Sequence, residues 1–282
     1  MCERHNNNWL LQLNAIDLEI QISDAAPVQV QVELRAKRPT CFALGVRKSG
    51  SSIFSSIVNA LAMHGGQANA IDIPGEMFAK GYRYTDWNQP PLCDLVWRGN
   101  VYIGFRDPPS ALYQDPVFIE SKKILVVRDP RDALVSEYFS NAYSHSMPTT
   151  GSEQSVLAKE RAVALQESIS RYVVSRTSHL NATVEKYGPL LNDPNLKIMR
   201  YEDVILKKAN WIREISNHFE FEIDEGLVND ILGWADVVPE SENKKAFVRR
   251  VVPGDHLEKL DPDVISKINN SLSDIWKRFG YE

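Results

Sequence analysis

Val28, Val30, Val32 and Leu34 alternate with Gln29, Gln31 and Glu33. That period of two predicts a half-buried strand. Arg35-Ala36-Lys37-Arg38-Pro39 punctuates it, and a different pattern follows. Residues 40–46 are short, apolar and continuous, as in a strand covered on both faces. Ile53, Phe54, Ile57, Val58, Leu61 and Ala62 then fall on one helical stripe, ended by Gly65-Gly66. Residues 122–128 repeat the buried-strand pattern. Asp129 suits a helix cap and Pro130 the first helical position. Ala133, Leu134, Tyr138 and Phe139 supply that helix with an inner face.

Further along, 153–187 predicts one long amphipathic helix stopped at Gly188-Pro189, and 196–201 a third strand. Helices are expected near 203–218 and 262–278. Residues 82–116, rich in Pro, Tyr and Trp, predict irregular, pocket-forming chain. Strands alternating with helices imply an α/β fold, a central parallel sheet flanked by helices. Residues 1–38 form a lead-in with an edge strand, and 39–282 a single domain.

Composition narrows the function. The chain has 282 residues, a net charge of -5 and only three cysteines, Cys2, Cys41 and Cys93. An acidic balance argues against a general nucleic-acid binder, which carries a basic stripe. Three widely spaced cysteines without CxxC make neither a disulfide framework nor a zinc site, and fit a reducing cytoplasm. The first twenty residues are too polar for a signal peptide, and no run of about 18 apolar residues predicts a membrane span.

The loop between the first buried strand and its helix carries candidate chemistry. Small residues there turn backbone N–H groups toward an anion, and the helix N-terminus adds partial positive charge. Gly45 and Gly50 have the G-x-x-x-x-G spacing of a nucleotide-triphosphate loop, but Ser51-Ser52 follows where Lys-Ser/Thr is required. The lysine, Lys48, lies inside the loop instead. A second cluster, Arg128-Asp129-Pro130-Arg131-Asp132 with Ser136 on the next helix, can bring a guanidinium and a hydroxyl to one phosphate.

Arg47-Lys48-Ser49-Gly50-Ser51-Ser52 resembles the 5′-phosphosulfate loop of sulfotransferases, P-K-S-G-[ST]-[ST]. Arg47 replaces proline, and Ile53 stands where cytosolic members place an adenine-stacking tryptophan. Residues 128–136 resemble the family's 3′-phosphate motif, R-[ND]-P-[RK]-D-x-x-x-S, with Arg128 and Ser136 as phosphate ligands. The two motifs stand about 80 residues apart in the family order. Tyr201-Glu202-Asp203 resembles the segment whose tyrosine contacts adenine. Residues 247–256 resemble the lid F-x-R-K-G-x-x-G-D-W, with Arg249 and Arg250 as its phosphate clamp, Val251 for glycine and His256 for tryptophan. Trp234 is a candidate adenine-stacking residue and equally a candidate core tryptophan. The resemblance covers about residues 40–280. The dimer motif K-x-x-x-T-V-x-x-x-E of cytosolic members is absent.

The resemblance implies a P-loop-like sulfotransferase fold. It also implies transfer of a sulfuryl group from 3′-phosphoadenosine 5′-phosphosulfate (PAPS) to a hydroxyl or amine of a small-molecule acceptor, releasing 3′-phosphoadenosine 5′-phosphate (PAP). Lys48 would stabilise the bridging oxygen of the leaving phosphate. The N–H groups of 49–52 and the Ser51 and Ser52 hydroxyls would hold the 5′-phosphate, without a metal. The general base has three candidates. Cytosolic members use a histidine at a strand end before a proline, and the matching stretch, 104–108, offers Asp107 instead. Others use a glutamate after the first helix, and 71–76 offers Asp72 and Glu76. His64 and His145 rank behind these. Acidic groups with Tyr82, Tyr84, Trp87 and Trp97 suit a cationic or aromatic acceptor, such as a natural product. A P-loop nucleotide kinase and a non-catalytic PAP- or PAPS-binding protein are the competing readings.

Overall fold

The computed structural model describes residues 15–20, 28–33, 38–64, 68, 70–83 and 96–281. Among the described residues, five strands form the central sheet: β3 (Cys41–Gly45), β4 (Ala70–Ile71), β5 (Val101–Phe105), β6 (Lys122–Val127) and β7 (Leu196–Arg200). Their order is β4-β5-β3-β6-β7, and every neighbouring pair is parallel. The period of two sorts their side chains into two cores. Phe42, Leu44, Tyr102, Leu125 and Val127 face one layer, with helices α4 (Pro130–Phe139) and α6 (Ile169–Glu185). Cys41, Ala43, Val101, Ile103, Ile124 and Val126 face the other, with α1 (Ser51–Met63) and α8 (Lys208–Phe219). Because both faces are covered, β3, β5 and residues 124–127 of β6 carry no charged side chain and do not alternate.

The expected α/β architecture is therefore present, with differences in detail. The strand predicted at 28–34 forms as β2 (Val28–Glu33), but it pairs antiparallel with β1 (Ala15–Ile20) in a sheet of its own. The central sheet ends at β4, whose two residues give a six-residue strand little backbone to pair with. Val32 is nevertheless fully buried and joins the core of the α4 face.

The helix predicted over 153–187 is two helices, α5 (Gly151–Gln166) and α6. Ser168 separates them: its hydroxyl accepts from Arg171 N and restarts the helix. The stretch near 203–218 divides into α7 (Tyr201–Val204) and α8, with α9 (Glu225–Ala235) following. That at 262–278 divides into α11 (Pro262–Ser271) and α12 (Ile275–Arg278). The stretch 82–116, expected to be irregular, contains β5 beside the central strand. Gly104, with a φ of 83°, shifts the β3–β5 register and hides the strand from a periodicity reading. Tyr84, Trp87, Gly65 and Gly66 lie outside the described residues. No helix among the described residues is long and apolar enough to cross a membrane.

Candidate active site

Parallel strands bring their C-terminal ends together, and the loops there share one crevice. β3 ends at Gly45, where a Cβ would lie 2.7 Å from Ser51 Cβ. Only glycine lets the loop fold back over its own strand there. Ser49 closes the turn: its N–H and hydroxyl both donate to the Val46 carbonyl, at 3.1 and 2.6 Å. Lys48 and Gly50 are left-handed, with φ of 65° and 80°. A left-handed Lys48 is a strained choice that a simple turn does not require. The loop leads into α1, which has Gly50 as its N-cap and no side-chain cap. Its first N–H groups and its dipole are thus open to an anion.

Cations crowd this loop. Burial pushes Lys48 down to about 8, and Arg47, Arg106 and Arg128 reinforce this against an opposing Glu137. Lys48 makes no ion pair among the described residues. Arg106 Nε donates to Ser51 Oγ at 3.0 Å and its Nη2 to Ser52 Oγ at 3.1 Å.

The 3′-phosphate motif meets the loop directly. Arg128 follows β6, and α4 starts with Asp129 as its N-cap and Pro130 at N1. The buried Arg128 donates to the Lys48 carbonyl at 3.4 Å and lies over the Tyr201 ring, 4.3 Å from its centroid. Its Nε is buried without a hydrogen-bond partner. An unpaired guanidinium nitrogen is costly unless a ligand meets it. Together with the open helix terminus it fits a nucleotide carrying phosphates at both ends.

A family model described as a sulfotransferase domain matches residues 38–279. This chain belongs to the sulfotransferase family. Two solved structures share its fold. Mouse sulfotransferase SULT7A1, complexed with PAP, is 14% identical with a TM-score of 0.56, covering 84% of this chain and 84% of that one. Retinol dehydratase, complexed with retinol and PAP, is 11% identical with a TM-score of 0.53, covering 95% of this chain and 97% of that one. No curated protein matches the sequence.

Other expected site residues of the sulfotransferase are distributed unevenly. Ser136 is half-buried on the second turn of α4 and makes no bond to Arg128. Tyr201 is 5% exposed, and a Cβ on Gly50 would come within 2.9 Å of its ring. Tyr201 thus forms a floor beneath Gly50 and Arg128. Beside it, Glu202 accepts from Asp129 N at 2.8 Å and from the Tyr281 hydroxyl at 2.7 Å, fixing the turn after β6. Trp234 is 44% exposed near the end of α9, so it is not a core tryptophan.

The lid arginines are engaged by acids. Arg249 pairs with Glu242 and Asp255, with its guanidinium 4.2 Å from the Phe139 ring centroid. Arg250 reaches Asp255 at 3.0 Å and Glu258 at 2.6 Å. Asp132 ties the lid to α4: it accepts from Gly254 N at 2.7 Å, His256 N at 2.9 Å and His256 Nδ1 at 2.7 Å. This gives a reason for histidine at 256. Its ring nitrogen meets the Asp132 carboxylate in the interior.

The candidate bases separate. Asp107 is held by Lys186 at 2.6 Å. Glu76 is exposed on the short helix α2 (Ile73–Ala79). Asp72 caps that helix by accepting from Gly75 N at 2.8 Å, and it packs against Gly104, where a Cβ would lie 2.0 Å from Asp72 Oδ1. Burial raises its proton affinity, while the Gly75 N–H and Arg106 oppose the rise. His145, beyond the turn that follows α4, is pushed down by burial and by Lys48, Arg47 and Arg106, against a hydrogen bond to the Ser146 carbonyl. Its ring lies 5.8 Å from Phe78, and Arg161 holds its carbonyl at 2.6 Å. Sequence reasoning missed Arg106. Its only signal in the sequence is its place in 104–108, the stretch that matches the family's base.

Proposed function

We propose that this sulfotransferase takes its sulfuryl group from PAPS, transfers it to a hydroxyl or amine of a small-molecule acceptor and releases PAP. The observation carrying this reading is the junction of Arg128 with the 47–52 loop. One buried guanidinium, with a nitrogen unpaired, is bonded to the carbonyl of Lys48, two residues before the Gly50 N-cap of a helix with no side-chain cap. The loop N–H groups, Ser51 and Ser52 would hold the 5′-phosphate. Arg128, Ser136, Arg249 and Arg250 would hold the 3′-phosphate. The lid arginines would exchange Asp255 and Glu258 for phosphate oxygens, a trade between charge-assisted bonds.

Lys48 is the candidate for charge building on the leaving oxygen, because its ammonium makes no ion pair among the described residues. Asp72 is the candidate base. Burial raises its proton affinity toward the acceptor's need, and it stands beside the loop, unlike Asp107 and Glu76. Tyr82 remains a candidate for the acceptor wall, whereas Trp97 precedes β5, in the segment whose Gly99 N donates to Thr40 Oγ1 at the other end of the strands, and drops out.

The test is calorimetric titration with PAP, AMP and ATP–magnesium on wild type and Arg128→Ala. PAP should bind without magnesium, at least tenfold more tightly than AMP, and the substitution should weaken it by about 10²-fold, the worth of a charged hydrogen bond. A preference for ATP–magnesium would return the chain to nucleotide-kinase chemistry. PAP binding without turnover in a broad acceptor screen would favour a non-catalytic binding protein.

A further inference from the structure

β5 is buried along its whole length, and the next residue, Arg106, is exposed. β5 lies beside β3 in the parallel sheet, so the end of β5 and the phosphate loop share one edge of the crevice. Arg106 lays its guanidinium across the first turn of α1, on Ser51 and Ser52. It makes no ion pair with a carboxylate among the described residues. Arg47, Lys48 and Arg106 lie close enough to repel one another, an excess of positive charge that the nearby Asp72 and Glu137 carboxylates offset only in part and that a bound anion would relieve.

The direction of the serine bonds matters. Arg106 donates, so each serine oxygen accepts, and each hydroxyl proton is left to point elsewhere. The serines can then donate to a 5′-phosphate while Arg106 holds them. The guanidinium is planar, permanently charged and able to present paired donors to two oxygens of one tetrahedral anion.

We infer that Arg106 is a catalytic residue that grips the transferring sulfuryl group, from the strand end where a sulfotransferase base was expected. This rests on PAPS as the donor. In the transfer, a lone pair of the acceptor oxygen or nitrogen forms a bond to sulfur. The bond from sulfur to the 5′-phosphate oxygen breaks, and that oxygen leaves with its electron pair on PAP. The acceptor's proton passes to the base, for which Asp72 is the candidate. Lys48 meets the leaving oxygen and Arg106 the oxygens of the moving group. The two cations thus act on opposite sides of the breaking bond.

PAP and PAPS differ by the sulfuryl group alone, so they separate this role from loop ordering. Both are titrated, without acceptor, into wild type, Arg106→Ala, Arg106→Lys and Arg128→Ala, after thermal melts verify folding. Arg106→Ala should weaken PAPS at least about tenfold more than it weakens PAP, and lower kcat by about 10²–10³-fold. Arg106→Lys should recover part of the PAPS affinity, since it restores charge but not the paired donors. Arg128→Ala should weaken both ligands alike. Equal losses of PAP and PAPS in Arg106→Ala would reduce Arg106 to a support for the serines and overturn the inference, as would no loss of either. If wild type binds neither ligand, the donor reading itself fails, a result distinct from either of these.

Discussion

At the scale of single residues, the loop cations create a pH dependence whose sign follows from Lys48. Its ammonium is pushed down to about 8, first by burial and then by Arg47. An unfolded lysine titrates near 10.4. Below about pH 8 the folded chain therefore carries the full penalty of the buried, repelled charge, and that penalty is relieved as pH rises from about 8 toward 10.4. A bound phosphate reverses the effect, because an anion raises the proton affinity of the lysine beside it. PAP affinity should thus be flat near pH 7 and fall as pH rises through about 8, by up to about tenfold per pH unit. Binding at pH 9 should take up close to one proton, read from calorimetric heats in buffers of different ionisation enthalpy. Lys48→Met should bind PAP more weakly and lose most of this pH dependence. An unchanged profile in the variant would assign the titration to another group.

Elements carry the next constraint, the joint between α4 and the lid. Burial pushes the Asp132 carboxyl up. The His256 ring, the Arg128 charge and the N–H groups of His256 and Gly254 outweigh it and bring it down to about 2. Its contribution is complete above the unfolded value near 3.9 and is lost as pH falls from about 4 to about 2. Asp132→Asn should destabilise the chain by about 3 kcal/mol, the cost of breaking a buried pair. It should speed amide exchange at Gly254 and His256 and remove that acid-sensitive step from the urea midpoint. The elements themselves were legible where one physical signal dominated. The apolar runs of β3 and β6, the stripe of α1 and the Asp129-Pro130 start of α4 all formed as the pattern predicts. What escaped were features set by tertiary context: β5, whose Gly104 breaks the register, and the break at Ser168. The site followed the same rule. Lys48 and Arg128 were visible as motifs, whereas Arg106 acquires its partners only when β5 is laid beside β3. The sequence does not rank the candidate bases, because the partner of Asp107, Lys186, is 79 residues away along the chain.

Across the whole molecule, ionic anchors sit at both ends of the sheet while the chemistry gathers at one. At the far end, the fully buried Lys123 donates to Asp193 at 2.8 Å and to the carbonyls of Ser121 and Ile119 at 2.8 and 3.1 Å. At the site end, Tyr281 reaches back from the C-terminal turn to Glu202, which holds the turn before α4. Lys123→Met should destabilise by about 3–5 kcal/mol, because it leaves a carboxylate and two carbonyls without their partner. Its folded fraction should bind PAP within about twofold of wild type. Tyr281→Phe removes one hydrogen bond, and should cost only about 1–2 kcal/mol. Yet it loosens the carboxylate that positions Asp129, and with it Arg128, so PAP should bind about threefold to tenfold more weakly. Thermal melts and PAP titrations on both variants check the contrast. The smaller stability loss should accompany the larger binding loss, since distance from the strand ends, not stability, decides what a substitution does to the nucleotide. Parallel losses of stability and affinity in both variants would mean that the site simply follows the global fold.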